Sequence, residues 1–460
     1  MAEKDTDILE RYTEPLSHRI EKEYAIGEEF YHGEVKKGLR NSDGTGVLVG
    51  VTKVGSVQGY LLQDGQRVPT PGRLYYRGIE LNDIVEAHRK AGTFGFEEVA
   101  YLLLMGYLPT QDELARFNGI MSQARKLPDG FTEGMIMRHP SSNMMNELAR
   151  SVLSLYSYDP DPDSTSIENL LLQSVKLIGC FPSIVANSYA VKRHYFHSDS
   201  LHIHFPVPEL STAENFLRMI RPDTNYTEEE AHLLDMMLMV HAEHGGGNNS
   251  TFVCRAMTSS GTDTYSAIAG AVGSLKGPLH GGANAKVMEM FGYIKENVDP
   301  HDDGSIRDYL VKLLNKEAGD GSGKLYGLGH AVYTISDPRA ELLKKYAQHM
   351  AEIKGYAEEF ALLQKVEKLG IPLLQERRRD DTPMCANVDM YSGLVYTMLG
   401  IPQDVFTPLF ASARIAGWCA NRMEELLTCS RIMRPAYRAV SIKGHYIPME
   451  QRQPHLTENA

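Results

Sequence analysis

Residues 95–114 read GFEEVAYLLLMGYLPTQDEL. The stretch is one helix and the opening of the next. Apolar side chains recur on every turn from Phe96 to Met105, Gly106 and Pro109 end the run, and Thr110 stands where an N-cap belongs. The same pattern returns downstream. Thr227 followed by Glu230 forms a capping box that opens the apolar run LLDMMLMVHAEH, ending at Gly245-Gly246-Gly247. From Asn82 onward the chain reads as helices broken by glycine-rich segments at 277–282 and 318–329. A charged helical stretch over 338–380 ends in Arg377-Arg378-Arg379-Asp380-Asp381, which reads as a solvated helix end. Toward the N-terminus, residues 1–45 are polar and amphipathic. Residues 46–63 are rich in Val, Gly and Leu, and Asp64-Gly65 supplies a hairpin turn. The expected fold is mainly α, with a small N-terminal β-hairpin over about residues 46–75.

The chain has 460 residues, which favours two or three domains. With 47 basic and 59 acidic residues its net charge is −12, which argues against a nucleic-acid or anionic-membrane partner. An anionic substrate must therefore meet local basic residues. The five cysteines, Cys180, Cys254, Cys385, Cys419 and Cys429, are widely spaced and include no CxxC, so a reducing compartment is expected. The N-terminus MAEKDTDILERY carries no signal or presequence pattern, and no apolar run reads as a membrane span. A cytoplasmic protein is expected. The polar tail after Lys443 reads as loose or packed on a partner subunit.

Several polar residues sit in unusual surroundings. His280 lies in Gly-Pro-Leu-His-Gly-Gly-Ala-Asn, ahead of a helical segment. A helix N-terminus favours a neutral imidazole that donates a hydrogen bond, and a His that merely caps the helix is an equal alternative. His330 lies in Gly-Leu-Gly-His-Ala-Val, where glycines let a ligand approach closely. Asp337-Pro338-Arg339 reads locally as an N-cap, a first-turn proline and a surface arginine. His241 and His244, three apart, share a helix face, but a zinc site needs a third ligand that the neighbourhood lacks. No metal is expected. Asp389 lies in Ala-Asn-Val-Asp-Met-Tyr-Ser-Gly, where apolar neighbours would raise its basicity; capping a helix through Leu394 is the competing role. Arg414 has Phe410 and Trp418 on its own helix face, and a guanidinium so placed calls for a carboxylate partner.

Taken together, the segments Tyr76-Arg77-Gly78-Ile79, FEEVAYLLL, Gly-Pro-Leu-His280-Gly-Gly-Ala-Asn, Gly-Leu-Gly-His330-Ala-Val, Asn-Val-Asp389-Met-Tyr-Ser-Gly and Arg434-Pro435 resemble the citrate synthase family. The resemblance implies an almost wholly helical enzyme. Its large domain comprises residues 1–280 plus 391–460, and a smaller one spans 281–390. It implies that Asp389 removes a proton from the methyl group of acetyl-CoA, that His280 donates to the thioester oxygen, and that His330 polarises the ketone of oxaloacetate. His244, Asn248, Arg339 and Arg414 match positions holding carboxylates, and Arg434 matches an arginine supplied across a homodimer interface. His241 matches a structural residue. Lys324, Leu328 and Gly329 are the CoA-binding candidates, because Thr334 stands where some members have arginine. Gly245 follows His244 where an acidic residue is common, which leaves the positioning of His244 without its usual neighbour. No cofactor is expected, the acyl-CoA being a substrate.

Rival readings are a 2-methylcitrate synthase using propanoyl-CoA, a non-catalytic acyl-CoA or citrate sensor, and a metal-dependent hydrolase built on His241 and His244. One methylene is worth only about 1–3 kcal/mol of discrimination. The first rival therefore turns on a pocket lining that one sequence does not display.

Overall fold

The computed structural model describes residues 17, 20–21, 23–31, 33, 35–41, 45–63, 66–378, 383–429, 431–441 and 445–452. The N-terminal dodecapeptide, the Asp64-Gly65 turn, Arg379-Asp380-Asp381 and the end of the tail lie outside them. The chain divides into two units, residues 1–50 with 434–460, and residues 51–433. The first unit holds short 3-10 turns at Glu28–Tyr31, Lys37–Leu39 and Met449–Gln451. Within it the Arg438 guanidinium donates to the carbonyl of Phe30, joining its two chain segments.

The second unit opens with an antiparallel hairpin, β1 (Gly55–Gln63) and β2 (Gln66–Tyr76), followed by β3 (Ile79–Glu80) against β2. Strand pairing was expected from about residue 46, but it begins at Gly55. The partner strand ends at Tyr76, where Arg77 and Gly78 turn the chain with φ of 49° and 85°; beyond the ladder the Arg77 N–H still donates to the Val54 carbonyl at 2.9 Å, and Gly46 forms an isolated bridge with Arg40.

Helices follow: α1 (Leu81–Ala91), α2 (Phe96–Met105), α3 (Gln111–Ala124), α4 (Met144–Leu155), α5 (Ile167–His197), α6 (Thr212–Ile220), α7 (Glu228–His241), α8 (Asn249–Thr258), α9 (Thr264–Lys276), α10 (Ala283–Asn297), α11 (Asp303–Leu314), α12 (Pro338–Lys354), α13 (Ala357–Arg378), α14 (Asp389–Met398) and α15 (Phe406–Thr428). The expected signals hold at α2 and α3. Gly106 closes α2 at φ 90°, donating to the carbonyl of Leu102, and Thr110 and Glu113 form a reciprocal capping box. The start of α2 has no local cap. Asp235 of α7 reaches across and accepts from the N–H groups of Gly95 (2.7 Å) and Phe96 (3.1 Å). The expected single stretch over 338–380 is two helices, because Gly355 closes α12 at φ 77°. Helix α5 is long and apolar enough to cross a membrane, which corrects the reading that no such run exists. However, 78% of its apolar window is buried, as in a core helix.

Helix α15 is apolar on nearly every face and runs through the core, packed against α2, α5, α7, α8 and α9. Elsewhere the core is tied by a buried ion pair. Arg125, at the end of α3, donates to Glu97 of α2 at 2.9 Å, and Glu97 also accepts from the Thr212 N–H and hydroxyl at the start of α6. Removing one partner leaves the other charge buried alone. We expect Arg125→Ala to lower the unfolding free energy by about 3–5 kcal/mol, read as a lower urea midpoint; an unchanged midpoint would contradict the role given to this pair.

Candidate active site

The apolar run of α7 ends four residues before the triple glycine that was expected to stop it. The Tyr76 hydroxyl inserts between the Met239 carbonyl (2.9 Å) and the Glu243 N–H (3.3 Å), a pair that a continuing helix would join directly. The Glu243 carboxylate then accepts from the Gly245 N–H at 2.7 Å, and Gly245 adopts φ 82°. His244 thus lies past the helix end, which corrects the shared-face reading of the two histidines. His241 packs on Phe410, with ring centroids 4.4 Å apart. His244 turns instead toward His330 (5.3 Å) and Tyr333 (5.7 Å). Among the described residues no three His, Cys, Asp or Glu side chains group as metal ligands.

His330 is placed by pairing between two distant segments. Gly329 N–H donates to the Cys385 carbonyl (2.8 Å), Asn387 N–H to the Gly327 carbonyl (2.9 Å), and the Asn387 amide to the Gly329 carbonyl (2.8 Å). Leu328 bridges Ala386. These bonds bring the His330 loop beside the start of α14. The hairpin, whose role the sequence left open, braces the same loop. A Cβ on Gly59 would meet the Val332 carbonyl at 2.3 Å, and one on Gly72 the Ser336 carbonyl at 2.1 Å. The His330 ring stacks on Tyr333, and its Nδ1 accepts from the Val332 and Tyr333 N–H groups, each at 3.0 Å. A backbone N–H only donates, so Nδ1 is bare and the ring's proton sits on Nε2.

His280 is held through the other ring nitrogen. It precedes α10 in a turn, and Ser250, in the first turn of α8, meets its Nε2 with its N–H at 3.3 Å and with its hydroxyl at 3.0 Å. The N-terminus of α8 therefore faces this ring. Burial, reinforced by the nearby positive charge of Arg414, lowers its pKa to about 4. Ser250 is itself fixed by Trp418, whose indole N–H donates to its hydroxyl at 3.2 Å.

Asp389 is the first residue of α14, and it is not the cap. Val388 holds that position without a side-chain bond, Asn387 just before it accepts the Asp389 N–H at 3.0 Å, and the Asp389 carboxylate has no hydrogen bond among the described residues. Burial raises its pKa to about 6; Asp337 adds to the rise while Arg339 and Arg414 oppose it.

The two arginines differ from the surface reading. Arg339 is buried, held by Asp337 through Nε (3.0 Å) and Nη2 (2.8 Å), which leaves Nη1 unpaired among the described residues. Asp337 also caps α12, as expected. Arg414 is fully buried. Its Nε donates to the His241 carbonyl at 2.6 Å, its guanidinium lies 4.7 Å from the Phe410 ring, and Nη1 and Nη2 have no partner among the described residues. Burial lowers its pKa to about 10, with the charge of Glu243 as the main opposing influence. The same guanidinium acts electrostatically on His244, His280 and Asp389, so these groups share one field. Asn248 accepts from the Ser250 hydroxyl at 3.0 Å at the head of α8. Buried Tyr333 and Thr334 hydroxyls and His244 Nε2 also lack partners among the described residues. Lys324 is exposed, and Arg434 is exposed in the first unit. Sequence reading missed Ser250, Tyr333, Tyr76 and Glu243. Only Glu243, an acid between two histidines at the end of an apolar run, carried a signal.

Two imidazoles held through opposite ring nitrogens, a carboxylate with no hydrogen bond among the described residues and two buried guanidiniums can enolise a carbon acid and hold a polyanion. That is the chemistry of an acyltransferase that makes carbon–carbon bonds. Residues 43–436 match the family model described as the C-terminal domain of citrate synthase. The citrate synthase of Deinococcus radiodurans is 36% identical over 385 residues, covering 83% of this chain and 93% of that protein. The 2-methylcitrate synthase of Shewanella oneidensis is 32% identical, covering 82% and 92%. Citrate synthase from Thermotoga maritima superposes with a TM-score of 0.71 at 30% identity, covering 91% of this chain and all of that one. A ternary complex of the Thermoplasma acidophilum citrate synthase with carboxymethyl coenzyme A and oxaloacetate gives 0.74 at 26% identity, with 91% and 100% coverage. The chain belongs to the citrate synthase family.

The Asp389 shift has a consequence for stability. A folded-state pKa near 6 against an ordinary 3.8 means that the contribution of this group is full below about pH 4 and lost as pH rises through 6. We expect Asp389→Asn to gain stability relative to the unsubstituted protein between pH 4.5 and 7.5, by denaturant midpoint. A difference that stays constant with pH would contradict the burial argument.

Proposed function

We propose that this chain condenses acetyl-CoA with oxaloacetate and water, giving citrate and CoA, as a citrate synthase of the tricarboxylic acid cycle. The observation that carries this reading is Arg414, buried with Nη1 and Nη2 bare, in a field shared with His244, His280 and Asp389. Asp389 takes a proton from the acetyl methyl group while the Nδ1–H of His280 donates to the thioester oxygen. A neutral donor paired with a carboxylate base is the arrangement known from triosephosphate isomerase, the standard example of such tuning. The enol attacks the ketone of oxaloacetate, which the Nε2–H of His330 polarises. Water then hydrolyses the citryl thioester.

Arg414 presents Nη1 and Nη2 to one carboxylate, and Arg339 presents Nη1, with His244 and Asn248 completing the cradle. Fixing both reactants can supply about 7–11 kcal/mol of the barrier. Residues 281–390 act as the smaller domain, closing on the large one once oxaloacetate is bound and excluding water until condensation is done. Arg434 comes from the second subunit of a homodimer, and Lys324, Leu328 and Gly329 contact CoA. The reaction needs no metal and no cofactor, and takes place in the cytoplasm. The second reading, 2-methylcitrate formation from propanoyl-CoA, is favoured by the relatives of that name at 32% and 30% identity.

We expect Asp389→Ala and His280→Ala each to lower kcat by about 10²–10⁴-fold with the fold intact. Near-normal turnover in either would defeat the assignment. The kcat/KM of the unsubstituted enzyme should fall on the acid side near pH 6, where Asp389 takes up a proton. Comparing kcat/KM for acetyl-CoA and propanoyl-CoA separates the two readings: a preference for acetyl-CoA is expected, and a preference for propanoyl-CoA would select the second.

A further inference from the structure

Glu243 touches no part of the proposed reaction, yet the core is shaped around it. It is fully buried. A Cβ on Gly417 would meet its Oε2 at 2.2 Å, and one on Gly55 its Cγ at 2.8 Å, so two glycines on separate elements make its slot. Its Oε1 accepts from the Gly245 N–H at 2.7 Å, and its Oε2 from the Asn421 amide at 3.0 Å. Asn421 cannot turn round. Its Oδ1 accepts from Arg255 Nε at 2.9 Å, and its Nδ2 also donates to the Gly417 carbonyl at 2.8 Å. Arg255 is committed in turn to Glu425 at 2.9 Å and to Glu424. Both carboxylate oxygens of Glu243 therefore face donors, a demand that an ionised acid meets and an amide does not.

From these contacts we infer that Glu243 is a positioning residue for oxaloacetate: its two-sided acceptance locks the His244–Gly245 turn to the helix that carries Arg414. The inference rests on the proposed reaction. One end of the link holds the turn between His244 and Asn248. The other end is Asn421, two turns beyond Arg414 on α15. Gly417, between them, donates its N–H to the Ala242 carbonyl at 3.1 Å, which closes the joint. Glu243 and Arg414 also attract one another without an ion pair between them, so the fork of Arg414 stays open to a substrate carboxylate. Arg339 shows the contrast: its Asp337 occupies two of its nitrogens. The link also accounts for the glycine after His244, since the acidic group precedes the histidine here and bonds the N–H of that glycine.

The test reverses the polarity of the joint. In Glu243→Gln either orientation of the new amide turns its NH2 on a donor, the Asn421 amide or the Gly245 N–H. The double variant Glu243→Gln with Asn421→Asp restores a donor–acceptor pair, keeps the acceptor for Arg255 Nε, gives up the Asn421 bond to the Gly417 carbonyl, and moves the negative charge by one side chain. Oxaloacetate binding is measured by calorimetry on the full chain, and KM for oxaloacetate and acetyl-CoA by CoA release. We expect Glu243→Gln to raise the oxaloacetate Kd and KM at least about tenfold, with the acetyl-CoA KM within about twofold. The double variant should recover most of the loss. An unchanged oxaloacetate Kd in Glu243→Gln overturns the inference, and so does a double variant no better than the single one. If the single variant does not fold, the double variant decides: folded with near-normal affinity supports the inference, and anything else overturns it. Absence of condensation by the unsubstituted chain would refute the proposed reaction instead.

Discussion

A guanidinium buried without a carboxylate on its fork is the constraint around which the second unit is organised. Taking Arg414 out of water is costly, and the offsets visible in the fold are individually modest: one carbonyl, the face of one ring, and a carboxylate that attracts it without touching it. Each comes from a different place. The carbonyl belongs to His241, at the end of α7. The ring is one turn back on α15. Glu243 lies in the turn that Tyr76 creates by interrupting α7. Strand β2, α7 and α15 must therefore all be in register for the arginine to be tolerated. An unfilled donor pair at that depth is a demand for an anion, and it ties the stability of the core to the binding of substrate.

The imidazoles depend on the same frame. Trp418, one turn beyond Arg414, holds the hydroxyl of Ser250, and the N–H and hydroxyl of Ser250 together hold Nε2 of His280. On the other side, the segment 327–330 pairs with 385–387. That pairing places His330 and, through Asn387, the N–H of Asp389. The β-hairpin adds a brace against residues 332–336, with glycines where the two backbones meet. A proton acceptor and two imidazoles held by opposite ring nitrogens are thus set in place by contacts made on folding, which cost no reorganisation when charge develops.

Much of the fold was legible because helices announce themselves locally. Capping boxes at Thr110 and Thr227 and the closing Gly106 were readable from a few adjacent residues. The end of α7 was not, since its cause is a tyrosine 163 positions away in sequence. The same holds for Arg339: locally a surface residue after a capping aspartate, it is buried by elements that pack over α12. Asp389 had capping as a competing role, and what separates the two is that it lies inside the helix, past a cap position held by Val388. Ser250 carried no signal at all, because its contacts with His280 and Trp418 join segments far apart in sequence. Glu243 was visible as an acid in an apolar run, but its purpose required knowing what stood on both sides of it.

The central claim is that the site fixes two neutral histidines in opposite tautomers around an ionisable carboxylate. The most direct test is ¹⁵N NMR of the histidine side chains near pH 7.5, assigned with His280→Asn and His330→Asn. The account predicts a proton on Nδ1 and a bare Nε2 for His280, and the reverse for His330. An imidazolium at either position, or the same tautomer at both, would contradict it.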